Sequence, residues 1–200
     1  MTGKHIIYSM VLLLPLLIGC DKHPSASETD SLLEQYDRYI FFSQNIGTKA
    51  TLVESTSDMA GKTFGVVGYK YDFATDWDTY KAGSPSPNVF YDENGDLIDG
   101  AAVTLTCDET GAQASYSPLQ GWSNIKKYAF FAYYPLQDNV TFAMTDGTPA
   151  ITYTMGPDNY QNSMTDVMVA APHVDKYWKT ASDNNVSNGE VALDLSLIHI

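Results

Sequence analysis

Positive charge is scarce in this sequence. Its 200 residues include 11 lysines and arginines against 24 acidic residues, and Arg38 is the only arginine. The formal net charge of −13 repels the phosphates of nucleic acids, so a nucleic-acid partner is not expected.

Cysteine and histidine are equally scarce. Cys20 and Cys107 are the two cysteines, and of the four histidines only His173 lies in the body of the chain away from its extreme end, where His199 is found. A zinc site needs several such ligands at a suitable spacing, so neither a metal nor another cofactor is expected. A lone histidine between Pro172 and Val174, with no recognisable serine elbow, is expected in a surface loop. We therefore assign no catalytic residue and do not expect an enzyme.

A long hydrophobic run occurs only near the N-terminus, over Ile6–Ile18. It is shorter than the roughly 20 residues of a membrane span but fits the apolar core of a secretory signal. The run ends in Leu-Ile-Gly-Cys, the lipobox pattern, in which Cys20 takes a diacylglycerol. Residues 1–20 are therefore predicted to be a lipoprotein signal peptide, against the alternative of an ordinary buried cysteine.

The segment after the signal, residues 21–37, is polar and has no hydrophobic period. It is typical of a tether or propeptide between the membrane and a folded body, with a short helical turn possible over Ser31–Arg38. Once Cys20 carries lipid, Cys107 has no partner for an internal disulfide, so the fold must depend on its hydrophobic core. Cys107 itself is predicted to be a small buried hydrophobic residue.

The body, residues 38–200, has the composition and patterning of an all-β protein. The chain contains 14 tyrosines, 8 phenylalanines and 3 tryptophans, residue types that favour strands. Short alternating or apolar runs recur between turn residues and predict strands at Tyr39–Phe42, Thr63–Tyr71, Val89–Tyr91, Leu97–Ile98, Val103–Cys107, Tyr128–Tyr134, Val140–Met144, Ile151–Met155, Asp166–Ala170 and Val191–Leu195. Because no sustained helical stripe is found, we predict a β-sandwich.

Three local patterns sharpen this prediction. The aromatic run Tyr128–Tyr134 predicts a strand buried on both faces. The acidic stretch Asp92–Asp96 resembles a calcium loop, but Gly95 falls at its fourth position rather than the required sixth, so its Asn-Gly pair favours a hairpin turn. Gly65 and Gly68 in the second strand indicate bulges or close backbone contacts.

Four motifs, taken in order, resemble the fimbrillins, which are lipoprotein-precursor pilins of anaerobic Gram-negative bacteria. The resemblance spans about residues 38–195 after the lipobox, and its motifs are Thr48-Lys49-Ala50-Thr51, Phe64–Tyr69, the aromatic strand Tyr128–Tyr134 with Pro135, and Asp166–Ala170. It implies a two-domain, transthyretin-like β-sandwich of about seven to eight strands per domain, with the C-terminal domain missing from this chain. It also implies lipid anchorage at the outer membrane and assembly by strand donation between subunits. The final residues, Ser196–Ile200, resemble translated sequencing adapter.

The resemblance further implies proteolytic maturation. In polymerising fimbrillins, an arginine- or lysine-specific protease removes the leader and an N-terminal strand, and the groove left behind accepts a strand from the next subunit. Cleavage after Arg38 would free the body from Cys20 but leave Tyr39–Phe42 attached, whereas cleavage after Lys49 would remove that strand. Both cleavage sites are hypotheses. The alternative for Arg38 is that it is only a solvated charge in the tether.

Two other functions remain open from the sequence. Exposed aromatic side chains such as Trp77, Trp122 and Trp178 could stack on sugars and make the chain a lipid-anchored glycan-binding protein, although such residues more often belong to the core. A lipid-anchored hydrolase with paired carboxylates is the third possibility. The fimbrial hypothesis leaves the adhesion ligand and the role of shaft, tip or anchor undefined.

Overall fold

The computed structural model of the chain describes residues 36–46, 59–108, 111–154, 167–178 and 189–197. These residues form fourteen strands and one short helix. In chain order the elements are β1 Tyr36–Tyr39, β2 Phe41–Ile46, β3 Thr63–Asp72, α1 Trp77–Lys81, β4 Phe90–Tyr91, β5 Leu97–Ile98, β6 Ala101–Asp108, β7 Gly111–Ser115, β8 Gly121–Ser123, β9 Lys126–Tyr134, β10 Val140–Thr145, β11 Thr148–Tyr153, β12 Met168–Ala170, β13 His173–Lys176 and β14 Glu190–Leu197.

Eight of the strands form one large sheet. Its order is β2-β14-β12-β9-β3-β6-β7, and β13 also pairs with β9. Every neighbouring pair is antiparallel except β2 and β14, which run parallel. Because β2 and β7 also contact each other, the sheet curls until its two ends nearly meet. The other strands form three antiparallel pairs, β1 with β8, β4 with β5 and β10 with β11.

The two faces of the large sheet cover two separate hydrophobic clusters. In the central strands β3 and β9, successive side chains point to opposite faces. Phe64 and Phe130 belong to the cluster inside the curl, while Tyr69 and Phe131 belong to the cluster outside it. This explains the unbroken apolar run of β9, because a strand covered on both faces has no position that favours a polar side chain.

The outer cluster is covered by the β10–β11 pair and by α1. Phe142 in β10 packs against the Phe131 ring at 5.4 Å between centroids, and Trp77 in α1 packs against the same ring at 5.4 Å. α1 begins at the N-cap Asp76, whose carboxylate accepts a hydrogen bond from the Thr79 amide at 2.8 Å. The fold is therefore all-β with sheet packed on sheet, and the predicted class is confirmed.

Most predicted strands lie where the sequence pattern placed them, including the doubly buried β9 and the β4–β5 hairpin. Gly65 and Gly68 sit in an unbroken ladder and mark close contacts rather than bulges. A Cβ on Gly68 would come within 2.8 Å of the Val89 side chain. The helical turn predicted for Ser31–Arg38 is wrong in its described part, because residues 36–38 belong to β1.

Candidate functional site

The first strand of the large sheet, β2, occupies one of its ends. Its ladder partner is β14, and the parallel register runs from Phe41 opposite Glu190 to Ile46 opposite Leu195. About 150 positions of sequence separate the two strands, so the N-terminal part of the body is held by the last described strand. We call the surface that receives residues 40–46 the β2 seat.

Side chains alternate across the β2 seat. Ile40 and Phe42 are buried inside the curl, whereas Phe41 between them is 43 % exposed. The Phe42 ring packs against three aromatic rings, those of Phe90 at 6.3 Å, Tyr116 at 5.5 Å and Phe130 at 5.5 Å between centroids. These are favourable separations for tilted and edge-on pairs, so the seat contains a pocket lined by aromatic rings.

Two further hydrogen bonds hold the segment outside its ladder. The Ile40 amide donates to the Gln120 carbonyl at 2.8 Å, and the Tyr116 hydroxyl donates to the Ile40 carbonyl at 2.9 Å. The same hydroxyl accepts a bond from the Gln120 amide at 3.2 Å. Burial raises the pKa of Tyr116, so the hydroxyl stays protonated and keeps its proton for the Ile40 carbonyl.

Arg38 lies in β1, opposite Trp122 of β8. Its side chain is exposed, and its guanidinium carbon lies 4.7 Å from the centroid of the Trp178 ring. This is a cation–π distance, so Arg38 has a defined position against the body rather than a place in a solvated tether. Arg38 therefore lies in a strand and not in the tether, while its role in maturation stays a prediction.

The three tryptophans proposed for sugar stacking are buried. Trp77, Trp122 and Trp178 are at most 7 % exposed. The Trp122 indole N–H donates to the Gly189 carbonyl at 2.9 Å, so its polar edge is used inside the fold. The core alternative given for these residues is confirmed, and they offer no stacking surface to a glycan.

His173 is not in a surface loop, because it begins strand β13 and lies opposite Phe130. Its ring is half-buried, and its Nε2 atom is buried without a hydrogen-bond partner among the described residues. Burial and the nearby Lys176 lower the pKa of His173, while Asp194 opposes them. The ring is therefore neutral at pH 7 and belongs to the packing of the sheet.

The acidic stretch Asp92–Asp96 forms the turn between β4 and β5, as predicted. The Asp92 carboxylate accepts hydrogen bonds from the amides of Asp96 at 2.9 Å and Asn94 at 2.8 Å. These bonds, that from Asp96 first, hold the pKa of Asp92 below its usual value. Within the described residues no group of three or more metal-ligating side chains occurs.

A cavity of about 360 Å³ opens on the outer face of the large sheet. Tyr69 and Tyr133 form part of its wall, Asp99 and the loop 84–87 lie along it, and Phe142 lines it from β10. Gly65 makes room for the Tyr133 ring, because a Cβ at this position would lie 2.5 Å from a ring carbon.

Three of the residues that line the cavity, Tyr69, Tyr133 and Asp99, have polar side chains whose environment bears on its chemistry. The Tyr69 hydroxyl is buried and has no hydrogen-bond partner among the residues that the structure describes. Burial raises the pKa of Tyr69 to about 12, with Tyr80 and Asp99 adding to the effect. Burial and then Asp99 also raise the pKa of Tyr133. Asp99 lines the same cavity as both of these tyrosines.

No protein-family model, curated protein or solved structure matches the chain. In the described part of the chain, no helix combines the length and the apolar character that a membrane crossing requires.

Several predicted sites fall outside the described residues. Cys20 and Lys49 are among them, together with the tether, and nothing is described of the Cys107 side chain. Arg38 lies two residues before Ile40, where the β2 seat begins, and proteolysis at this site stays a prediction. Sequence reasoning missed the cavity. In the sequence, the cavity is marked only by a loop with two prolines, Ser84–Pro87. In the structure, this loop and Asp99 both line the cavity.

Proposed function

We propose that the chain is a structural or accessory subunit of cell-surface fimbriae, exported as an outer-membrane lipoprotein and assembled by strand exchange for adhesion. The observation that carries the proposal is the β2 seat. An N-terminal strand lies at one end of the large sheet, forms a ladder on one side among the described strands, and begins three residues after Arg38. When such a strand leaves, the free edge of β14 and an apolar groove can accept a donated strand.

The seat defines what a donated strand must supply. It has to run parallel to β14 and present an aliphatic and an aromatic side chain two positions apart, to replace Ile40 and Phe42. Its backbone must also offer an N–H to the Gln120 carbonyl and a carbonyl to the Tyr116 hydroxyl. The predicted partner is therefore an extended segment of another fimbrial subunit.

The two candidate cleavage sites have different consequences. Cleavage after Arg38 cuts β1 before its last residue, Tyr39, and leaves β2 in its seat, so it frees the body from Cys20 without opening the groove. Cleavage after Lys49 removes both strands. We therefore assign release from the membrane to Arg38 and activation for assembly to Lys49.

Membrane attachment depends on Cys20. Each buried methylene of an acyl chain contributes about 0.8 kcal/mol, and two or more chains hold a protein stably on a bilayer. Labelled palmitate should enter the full chain and a Cys107→Ala control, but not Cys20→Ala. Equal incorporation in Cys20→Ala would contradict lipid anchorage.

Strand exchange is tested by treating the purified full chain with an arginine- or a lysine-specific protease. Sequencing of the new N-terminus should give Tyr39 or Ala50, and the product that starts at Ala50 should form multimers that persist on a denaturing gel. The variants Arg38→Gln and Lys49→Gln are matched controls, each blocking one cut. A new N-terminus elsewhere, or a product starting at Ala50 that stays monomeric with added partner subunits, would reject the proposal.

A further inference from the structure

The cavity on the outer face lies apart from the β2 seat. Tyr69, Tyr133 and Phe142, which line it, belong to or pack against the outer cluster, whereas Phe42 belongs to the inner one. A ligand in this cavity would therefore neither require the departure of β2 nor prevent it. Occupation of the cavity is thus independent of the proposed fimbrial function.

The lining of the cavity selects a class of ligand by charge. Among the described residues that line the cavity, Asp99 has the one carboxylate, and there is no lysine, arginine or histidine. With a protein of net charge −13 around it, such a cavity disfavours phosphates, carboxylates and other anions. Hydroxyl groups of Ser84 and Ser86 add neutral donors and acceptors.

The volume of the cavity and the chemistry of its lining residues narrow the class of ligand further. A volume of about 360 Å³ lies near the lower end of the range for ligand sites, which suits a single small ring. Phe142, Met144 and Leu136 supply apolar surface, and the hydroxyls and Asp99 supply hydrogen-bonding groups. A ring with one apolar face and several hydroxyl groups matches this mixed lining.

We infer that this cavity binds a single neutral pyranose unit, with the Asp99 carboxylate accepting bonds from sugar hydroxyls and an aromatic wall packing on the ring. The buried Tyr69 hydroxyl is the second observation that points to a ligand. A buried polar atom without a partner is costly and calls for an explanation. Because Tyr69 is among the residues that line the cavity, a sugar oxygen is the partner that we assign to this hydroxyl.

Saturation-transfer NMR on the full chain, purified in detergent, tests the inference. The probes are methyl α-D-mannopyranoside, methyl β-D-galactopyranoside and N-acetylglucosamine, each titrated to roughly 10 mM. At least one should bind saturably with a Kd of about 1 mM, as expected for so small a ligand. Asp99→Ala and Tyr69→Phe should each weaken binding about tenfold or more, because each removes one hydrogen bond to the sugar.

Asp138→Ala and Tyr153→Phe are the matched controls, since neither residue lines the cavity, and both should bind as the parent protein does. Tyr69→Phe should keep or raise the melting temperature, because it removes only an unpaired hydroxyl, so weaker binding in this variant cannot be attributed to unfolding. Absence of saturable binding by all three sugars would overturn the inference, as would unchanged binding in Asp99→Ala.

Discussion

Replacing Phe42 by alanine tests the β2 seat directly. The Phe42 side chain is 4 % exposed and contacts three aromatic rings inside the curled sheet. Truncation of a buried phenylalanine to alanine costs about 3–5 kcal/mol, through lost transfer free energy and the cavity left behind. For a protein of this size, the melting temperature should fall by roughly 6–20 °C.

Phe41 provides the matched control, because the same substitution is made one residue earlier on the opposite side of the strand. At 43 % exposure, this ring has about half of its surface to lose on truncation. A fully buried phenylalanine contributes about 1.5–3 kcal/mol by burial, so Phe41→Ala should cost only about 1 kcal/mol. The two variants should therefore differ by at least about 2 kcal/mol.

The assay is urea denaturation followed by tryptophan fluorescence, for which the buried Trp122 is a reporter in contact with the Phe130 ring of the inner cluster. The free energy of unfolding should fall with urea concentration at the same slope in both variants, so that the midpoints of the transitions report stability. Equal losses for Phe41→Ala and Phe42→Ala, or a larger loss for Phe41→Ala, would show that β2 does not present Phe42 to the core, and the seat would have to be abandoned.

Three further changes test other parts of the molecule. Tyr116→Phe should lower the free energy of unfolding by about 1–2 kcal/mol in urea denaturation, because the Ile40 carbonyl loses its donor. Gly68→Ala should lower it by about 1–3 kcal/mol in the same assay, since its Cβ would lie 2.8 Å from the Val89 side chain. The lowered pKa of Asp92 stabilises the fold above the unfolded value near 3.9, and this stabilisation is lost as pH falls through the folded pKa. Melting temperatures of Asp92→Asn and the parent should therefore differ at pH 7 and converge below about pH 4; a constant difference would contradict this assignment.

Much of the fold could be predicted from local patterns. The apolar run of β9 predicted burial on both faces because both of its alternating sets of side chains are apolar, and the structure has clusters on both sides. The helix α1 was missed because five residues are too few to show a helical period, although Asp76 is a favourable N-cap. β13 was missed because His173–Lys176 contains one apolar residue and pairs with a distant strand.

The candidate sites were less accessible to sequence reasoning. The sequence marked Arg38 and the strand after it, but the parallel pairing of β2 with β14 joins segments about 150 residues apart and leaves no local pattern. The cavity leaves no local sequence pattern either, since it is lined by loop 84–87, Asp99 and Phe142, which come from three separate segments. The Tyr69 hydroxyl, which has no partner among the described residues, could not be predicted either, because the sequence around it is that of an ordinary buried strand. Only the packing of these segments leaves the hydroxyl unpaired.

The position of β2 in the sheet makes it separable from the rest of the fold. Among the described strands, removing β9 would break ladders with β3, β12 and β13, whereas removing β2 breaks one ladder, that with β14. The departure of residues 40–46 also costs the contact of β2 with β7, the burial of Ile40 and Phe42, and the hydrogen bonds to Tyr116 and Gln120. An incoming strand with the same apolar spacing can restore each of these interactions, so an exchange at this seat keeps the remainder of the sheet intact throughout.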